Sequence, residues 1–143
     1  MVKATVQVSQ DIELDVLVTH LLFQVPGAQN CEVLTLRDYL DGNMSEYLIL
    51  MGDMNFSALG NEGSVWTDII ANAGMNYLKE DSQFPASSAP RTIDQIWVSD
   101  KLFGGRWLSF NLFSEKPGFD PSLRPLLSTA SDHQPAFAYF LFE

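Results

Sequence analysis

The sequence is poor in the residues that build several common kinds of functional site. Its 143 residues include one cysteine and two histidines, which excludes an internal disulfide and a usual structural zinc site. It contains no G-x-S-x-G motif of a serine hydrolase and no glycine-rich phosphate-binding loop. Only 8 basic residues oppose 18 acidic ones, for a formal net charge of -10, which disfavours non-specific attraction to nucleic-acid phosphates. Nucleic acid stays open as a partner.

Long apolar runs are also missing. No segment is long enough to span a bilayer, and "MVKATVQVSQ" at the start alternates like a strand and is unlike a signal peptide. We therefore expect a soluble protein whose compartment the sequence does not identify. The 46% of hydrophobic residues can bury one core, which predicts a single domain over residues 1–143.

Strand-like and helix-like segments alternate along the chain. The predicted elements are a hairpin over 3–8 and 12–23, helices over 28–40 and 64–73, and strands over 46–51, 91–99 and 134–142. Gly42 is predicted to stop the first helix, and the second is predicted to face inward with Val65, Ile69 and Ala73. This order predicts an α/β (α+β) fold, a layered sandwich of sheets with outer helices.

Four apolar segments each end in polar residues of types that act in phosphate chemistry. They are His20, Asp53 with Asn55, Asp94, and Asp132 with His133. If the strands lie side by side, these side chains converge at one rim of the sheets. Hydrolysis of a phosphate ester uses such a set, because carboxylates hold a divalent cation and orient water while imidazoles stabilise or protonate phosphoryl oxygens.

Each of these residues also has a simpler interpretation. Taken alone, His20 on an apolar strand is more often a hydrogen-bonded core histidine than a catalytic one. Asp53 and Asn55 are residue types that favour turns, and the "SDH" that contains His133 is typical of a loop entering a strand. These interpretations would have to hold independently at four strand ends, so we favour one shared site.

Four motifs together resemble the endonuclease/exonuclease/phosphatase superfamily of DNase I-like enzymes. They are "VTHL" at 18–21, "MGDMN" at 51–55, "RTIDQIWVS" at 91–99 and "SDHQPA" at 131–136, in the order of that family. The resemblance implies a DNase I-like layered β-sandwich and a metal-dependent phosphoesterase. It implies hydrolysis of a phosphodiester in a nucleic acid, a phospholipid or a small phosphoester.

The resemblance also implies a role for each residue of the predicted site. Asp53 would orient or deprotonate the attacking water, and Asn55 would contact the phosphate or a metal-bound water. His133 would bind the scissile phosphate, and Asp94 would keep that imidazole cationic. His20 would be a general acid or a phosphate clamp.

The expected cofactor is Mg²⁺, or Mn²⁺, held by Asp132, Asp53 and Asn55. The Glu that is the principal metal ligand of the family has no counterpart in the sequence, so the chain resembles only the C-terminal half of such a fold. The alternative is a non-catalytic truncated or split fragment that binds its missing half, or a homo-oligomer. The loops over 82–92 and 114–130 are expected to determine substrate specificity.

Overall fold

The chain forms a mixed α+β fold around a five-stranded sheet. The computed structural model describes residues 1–22, 26–56, 64–78, 94–111 and 136–142. In chain order, the elements of these residues are β1 (Val2–Ser9), β2 (Ile12–His20), α1 (Pro26–Asn43), β3 (Leu48–Asp53), α2 (Ser64–Asn72), β4 (Met75–Tyr77), β5 (Asp94–Ser99), α3 (Asp100–Phe103), β6 (Arg106–Asn111) and β7 (Ala136–Leu141).

The large sheet has the strand order β1-β2-β3-β5-β4, and β6 pairs with β7 in a separate two-stranded sheet. Strands β2 and β3 are parallel, while every other pairing is antiparallel. The parallel pair is joined through α1, as parallel neighbours require a crossover connection. The predicted hairpin is confirmed by the pairing of β1 with β2.

Both faces of the large sheet carry apolar side chains. On one face Leu17, Leu50 and Trp97 form a buried cluster with Val33 of α1 and Ile70 of α2. On the other face a second cluster of buried residues packs against the β6–β7 sheet. Its buried members are Ile49, Leu78, Ile96, Val98 and Leu102, and Ala138, Phe140 and Phe142 lie against them. The alternation of buried side chains along β3 and β5 therefore serves two layers.

The helices differ from their predicted bounds at particular residues. Helix α1 continues through Gly42 to Asn43, because the Asn43 side-chain amide donates to the carbonyl of Tyr39 at 2.8 Å and satisfies the last turn. Helix α2 does not face inward at Val65, which is 63% exposed, and Ile70 is fully buried instead. None of the described helices is long and apolar enough to cross a membrane.

Three short or late elements were not predicted. They are β4, α3 and β6. Strand β4 has three residues and α3 has four, which is too short to show a periodic pattern. The two predicted specificity loops, over 82–92 and 114–130, lie outside the described residues.

Candidate functional site

Three of the predicted polar groups lie in one row at one rim of the large sheet. His20 is paired with Asp53 across the β2–β3 ladder, and Asp53 is paired with Asp94 across the β3–β5 ladder. The parallel strands β2 and β3 both end at this rim, and the antiparallel β5 begins there. Paired residues on neighbouring strands share a face, so the row brings an imidazole and two carboxylates together. We call His20, Asp53, Asn55 and Asp94 the rim site.

Within the row, His20 and Asp53 are in contact. The imidazole Nε2 lies 3.5 Å from Asp53 Oδ2, and the two side chains are 75% and 14% exposed. The exposure shows that the interpretation of His20 as a core histidine is wrong. It also gives the pair an unequal environment, in which a mostly buried carboxylate contacts an imidazole that solvent reaches.

The other oxygen of Asp53 shapes the turn that follows β3. Asn55 donates its backbone N–H to Asp53 Oδ1 at 2.8 Å, and Asn55 itself has a φ of 53°, a conformation that asparagine adopts more readily than most residues. The turn interpretation of these two residues is therefore confirmed. It is compatible with a functional role, because the turn uses Oδ1 and leaves Oδ2 facing His20.

Asn55 also ties the ends of the two parallel strands together. Its Nδ2 donates to the carbonyl of Leu21 at 2.6 Å, and the Leu21 N–H donates to the carbonyl of Asp53 at 2.9 Å. Thr19 and Gly52, which precede His20 and Asp53, are paired across the same two strands. A Cβ on Gly52 would lie 1.8 Å from the backbone oxygen of Thr19, and Gly52 has a φ of 143°. Glycine is thus the residue that lets β2 and β3 meet here.

Asp94 adds a second carboxylate directly across from Asp53. It is the first residue of β5 and is partly buried. Two like charges at directly opposed positions of a ladder disfavour each other, so the two carboxylates of the row favour a cation beside them.

Two residues of the predicted site lie outside the described residues, namely the predicted metal ligand Asp132 and the predicted catalytic residue His133. Within the described part of the chain, no group of three or more His, Cys, Asp or Glu side chains could hold a metal ion. The predicted partnership of His133 with Asp94 and the metal role of Asp132 therefore stay predictions, as does the Mg²⁺ or Mn²⁺ cofactor.

Two buried glutamines next to the rim site were not among the predicted residues. Gln29 and Gln95 each donate from Nε2 to a carbonyl of the turn, at Asn55 and at Phe56 respectively. The sequence carried a signal for one of them, because Gln95 interrupts the apolar strand "IDQIWVS". An uncharged amide in a buried strand needs hydrogen-bond partners, and this need points to a structural task.

Comparison with known proteins adds no identity to this geometry. No protein-family model matches the sequence, and no curated protein matches it. The resemblance of the four motifs thus stays a prediction.

Proposed function

We propose that the rim site hydrolyses a phosphodiester with the help of a divalent metal ion. The observation that carries the proposal is the row of His20, Asp53 and Asp94, in which the imidazole contacts a carboxylate and remains 75% exposed. A substrate phosphate can approach such an imidazole from solvent. The neighbouring carboxylate can act on a water molecule at the same place.

Each residue then has a task that its contacts support. Asp53 orients the attacking water and accepts its proton through Oδ2, while the Asn55 N–H holds Oδ1. His20 donates a proton to the leaving oxygen or stabilises the phosphoryl oxygens. We propose that Asp94 pairs with His133, a second imidazole at the rim, by attraction of opposite charges.

The proposed metal is Mg²⁺ or Mn²⁺, with Asp53, Asn55 and Asp132 as its ligands. When bound, it would neutralise charge on the phosphoryl oxygens. Carboxylate and carboxamide oxygens are hard donors of the kind that these ions take. The Nδ2 of Asn55 donates to Leu21, so its Oδ1 would be the ligand atom.

We also propose that the fold is a DNase I-like layered sandwich and that the chain is related to the endonuclease/exonuclease/phosphatase superfamily. Support comes from the two layers on the large sheet. Helices α1 and α2 pack on one face, and Phe140 with Phe142 from the β6–β7 part of the chain packs on the other.

The test is hydrolysis of bis(p-nitrophenyl) phosphate with added Mg²⁺ or Mn²⁺. We expect Asp53→Asn and His133→Ala to lower kcat by about 100-fold or more and His20→Ala by about 10- to 100-fold, as for removal of a general acid or base. Asp68→Asn on the exposed side of α2 is the matched control and is expected to keep full activity. Equal rates in wild type and Asp53→Asn would contradict the proposed role.

A second candidate function is binding of a polypeptide that completes the fold. It is favoured by valines that stay exposed on the sheet face that β6 and β7 cover only in part. Val2 and Val18 are paired across β1 and β2, and they are 70% and 46% exposed. This candidate predicts a self-associated or hetero-oligomeric protein without hydrolytic activity. A monodisperse monomer in sedimentation analysis, or metal-dependent hydrolysis by the chain alone, would contradict it.

A further inference from the structure

Two glutamine side chains lie buried beneath the turn of the rim site, and they come from different elements. Gln29 of α1 is 4% exposed and Gln95 of β5 is 1% exposed. Gln29 Nε2 donates to the carbonyl of Asn55 at 3.3 Å, and Gln95 Nε2 donates to the carbonyl of Phe56. Two consecutive carbonyls of the turn are therefore held by buried amides. Leaving a buried amide without its partner is costly, so each contact resists movement of the turn.

The direction of the Gln95 amide is set from deeper in the core. Trp97 donates its indole N–H to Gln95 Oε1 at 2.8 Å. An indole nitrogen can only donate, so it fixes the oxygen of the carboxamide on its own side and turns the NH₂ group toward Phe56. Trp97 is itself 1% exposed, and its ring packs against Tyr77 with centroids 5.4 Å apart.

The turn that these amides hold is the one that fixes the Asp53 carboxylate. Asn55 keeps a φ of 53°, which is unfavourable unless the surroundings support it. In this conformation of the turn its N–H donates to Asp53 Oδ1 at 2.8 Å. Phe56, the next residue, is anchored by its ring against Trp66 at a centroid distance of 5.3 Å. A shift of the backbone at Asn55 or Phe56 would withdraw the N–H from Asp53 and release the carboxylate from its position beside His20.

We propose that Gln95, oriented by Trp97, is the main positioning residue of the rim site and that Gln29 assists it. They act through the backbone of Asn55 and Phe56, and neither is placed in contact with a substrate. The proposal rests on the proposed function for its effect on catalysis. Its effect on the turn is independent of that function, and the experiment measures both.

The glutamine variants remove the amide donor and replace it with an apolar side chain of similar length. They are Gln95→Met and Gln29→Met, together with Trp97→Phe, which keeps an aromatic ring, loses the orienting N–H and also removes part of the buried side-chain volume. Asn76→Leu is the control, because Asn76 also donates its amide to a backbone carbonyl, that of Val98, at the other end of β5. The same amide donates to Asp100 Oδ1 at 2.8 Å, so the control removes at least as much hydrogen bonding as Gln95→Met does at Phe56.

The first measurement is hydrogen exchange of single backbone amides by NMR, which needs no activity. In Gln95→Met we expect the Asn55 N–H to exchange about tenfold faster, the factor that loss of one hydrogen bond between neutral groups produces. Gln29→Met and Trp97→Phe are expected to give about threefold effects. The Leu50 N–H, in the middle of β3, reports global opening and should change less than that of Asn55.

The second measurement is the hydrolysis of bis(p-nitrophenyl) phosphate. We expect kcat of Gln95→Met to fall about tenfold, with KM within about twofold of wild type, because the defect lies in the placement of the reacting group. Asn76→Leu is expected to keep both constants. A residue that only stabilised the fold would lower the unfolding temperature and leave kcat of the folded protein unchanged.

The outcomes separate the two proposals. Unchanged exchange at Asn55 in Gln95→Met, or equal acceleration at Asn55 and Leu50, overturns the positioning role even if the wild type is active. Accelerated exchange at Asn55 alone in a protein that hydrolyses no phosphodiester supports the control of the turn and overturns the proposed function. If Gln95→Met does not fold, Trp97→Phe and Gln29→Met decide by the same criteria.

Discussion

The parallel strands β2 and β3 carry a buried carboxylate near each end of their ladder, Asp15 near one end and Asp53 at the other. The two carboxylates have different partners. At the end opposite the rim site, Asp15 accepts a hydrogen bond from Thr5 Oγ1 at 2.6 Å, and it forms an ion pair with Lys3 Nζ at 2.9 Å. At the rim, Asp53 contacts the exposed imidazole of His20. Both carboxylates are mostly buried, so burial does not distinguish them. The difference lies in their partners, because two side chains of the neighbouring strand enclose Asp15 while the partner of Asp53 faces solvent.

The pKa shifts of Asp15 and Lys3 also indicate that the two groups stabilise each other. Burial raises the pKa of Asp15, but hydrogen bonds from Thr5 and Lys3 lower it. The lowering effects together are larger, so the pKa lies below its usual value of 3.8. The hydrogen bond to Asp15 raises the pKa of Lys3 above 10.5. Each group thus stabilises the charged form of the other. We infer that Asp15 has a structural role, in which its contacts with Thr5 and Lys3 stabilise the β1–β2 hairpin.

The largest predicted effect lies at Gly52, the residue next to Asp53 of the rim site. Gly52→Ala places a Cβ against the Thr19 oxygen and forces alanine into a positive φ, so we expect the free energy of unfolding to fall by at least about 3 kcal/mol. Gly42→Ala is the control, because a Cβ there meets nothing within 4 Å and the residue is in a helix. Urea denaturation should show this control to be stabilised by about 0.5 to 1 kcal/mol. Equal effects of the two variants would contradict the close approach of β2 and β3.

The second prediction compares the two carboxylates in the same denaturation experiment. At pH 7, Asp15→Asn should lower the free energy of unfolding by about 1 to 2 kcal/mol, because its new amide would face the Lys3 ammonium. Asp53→Asn should cost less than about 1 kcal/mol, since an asparagine oxygen can still accept the Asn55 N–H. A larger loss at Asp53 would reverse the assignment of structural and functional ends.

The stability that Asp15 contributes should also depend on pH. The folded pKa of Asp15 is depressed, so its contribution to stability is complete well above 3.8 and is lost as the pH falls through the folded pKa. The difference between wild type and Asp15→Asn should therefore be constant from about pH 5 to 7 and shrink in denaturation curves recorded at about pH 3. A difference that grows on acidification would show that the carboxyl is not stabilised in its charged form.

Much of this architecture follows from the sequence by physical rules. Alternation of apolar residues identified the β1–β2 hairpin, and apolar segments identified β3, β5 and β7. The pairing of β2, β3 and β5 then brings His20, Asp53 and Asp94 to one rim. The inward face of α2 was wrong at Val65, because an apolar residue at a helix start fits two stripes and only the sheet beneath selects Ile70. The hydrogen bonds of Gln95 were beyond the sequence, since they depend on where the chain folds back after Asp53. His133 and Asp132 stay predictions.

A smaller effect is predicted at Thr5, one partner of the Asp15 carboxylate. Thr5→Val keeps the branched shape of the side chain and removes the hydroxyl that donates to Asp15, so we expect a loss of about 1 kcal/mol in urea denaturation. Thr35→Val is the matched control, because its hydroxyl bonds an exposed helix carbonyl, and it should stay within about 0.5 kcal/mol of wild type. Combining Thr5→Val with Asp15→Asn should give less than the sum of the two losses, because the residues share one hydrogen bond. Strict additivity would mean that Thr5 stabilises β1 by some means other than Asp15.

His20→Ala at the rim, by contrast, should leave the free energy of unfolding within about 0.5 kcal/mol of wild type, since that side chain is largely in solvent.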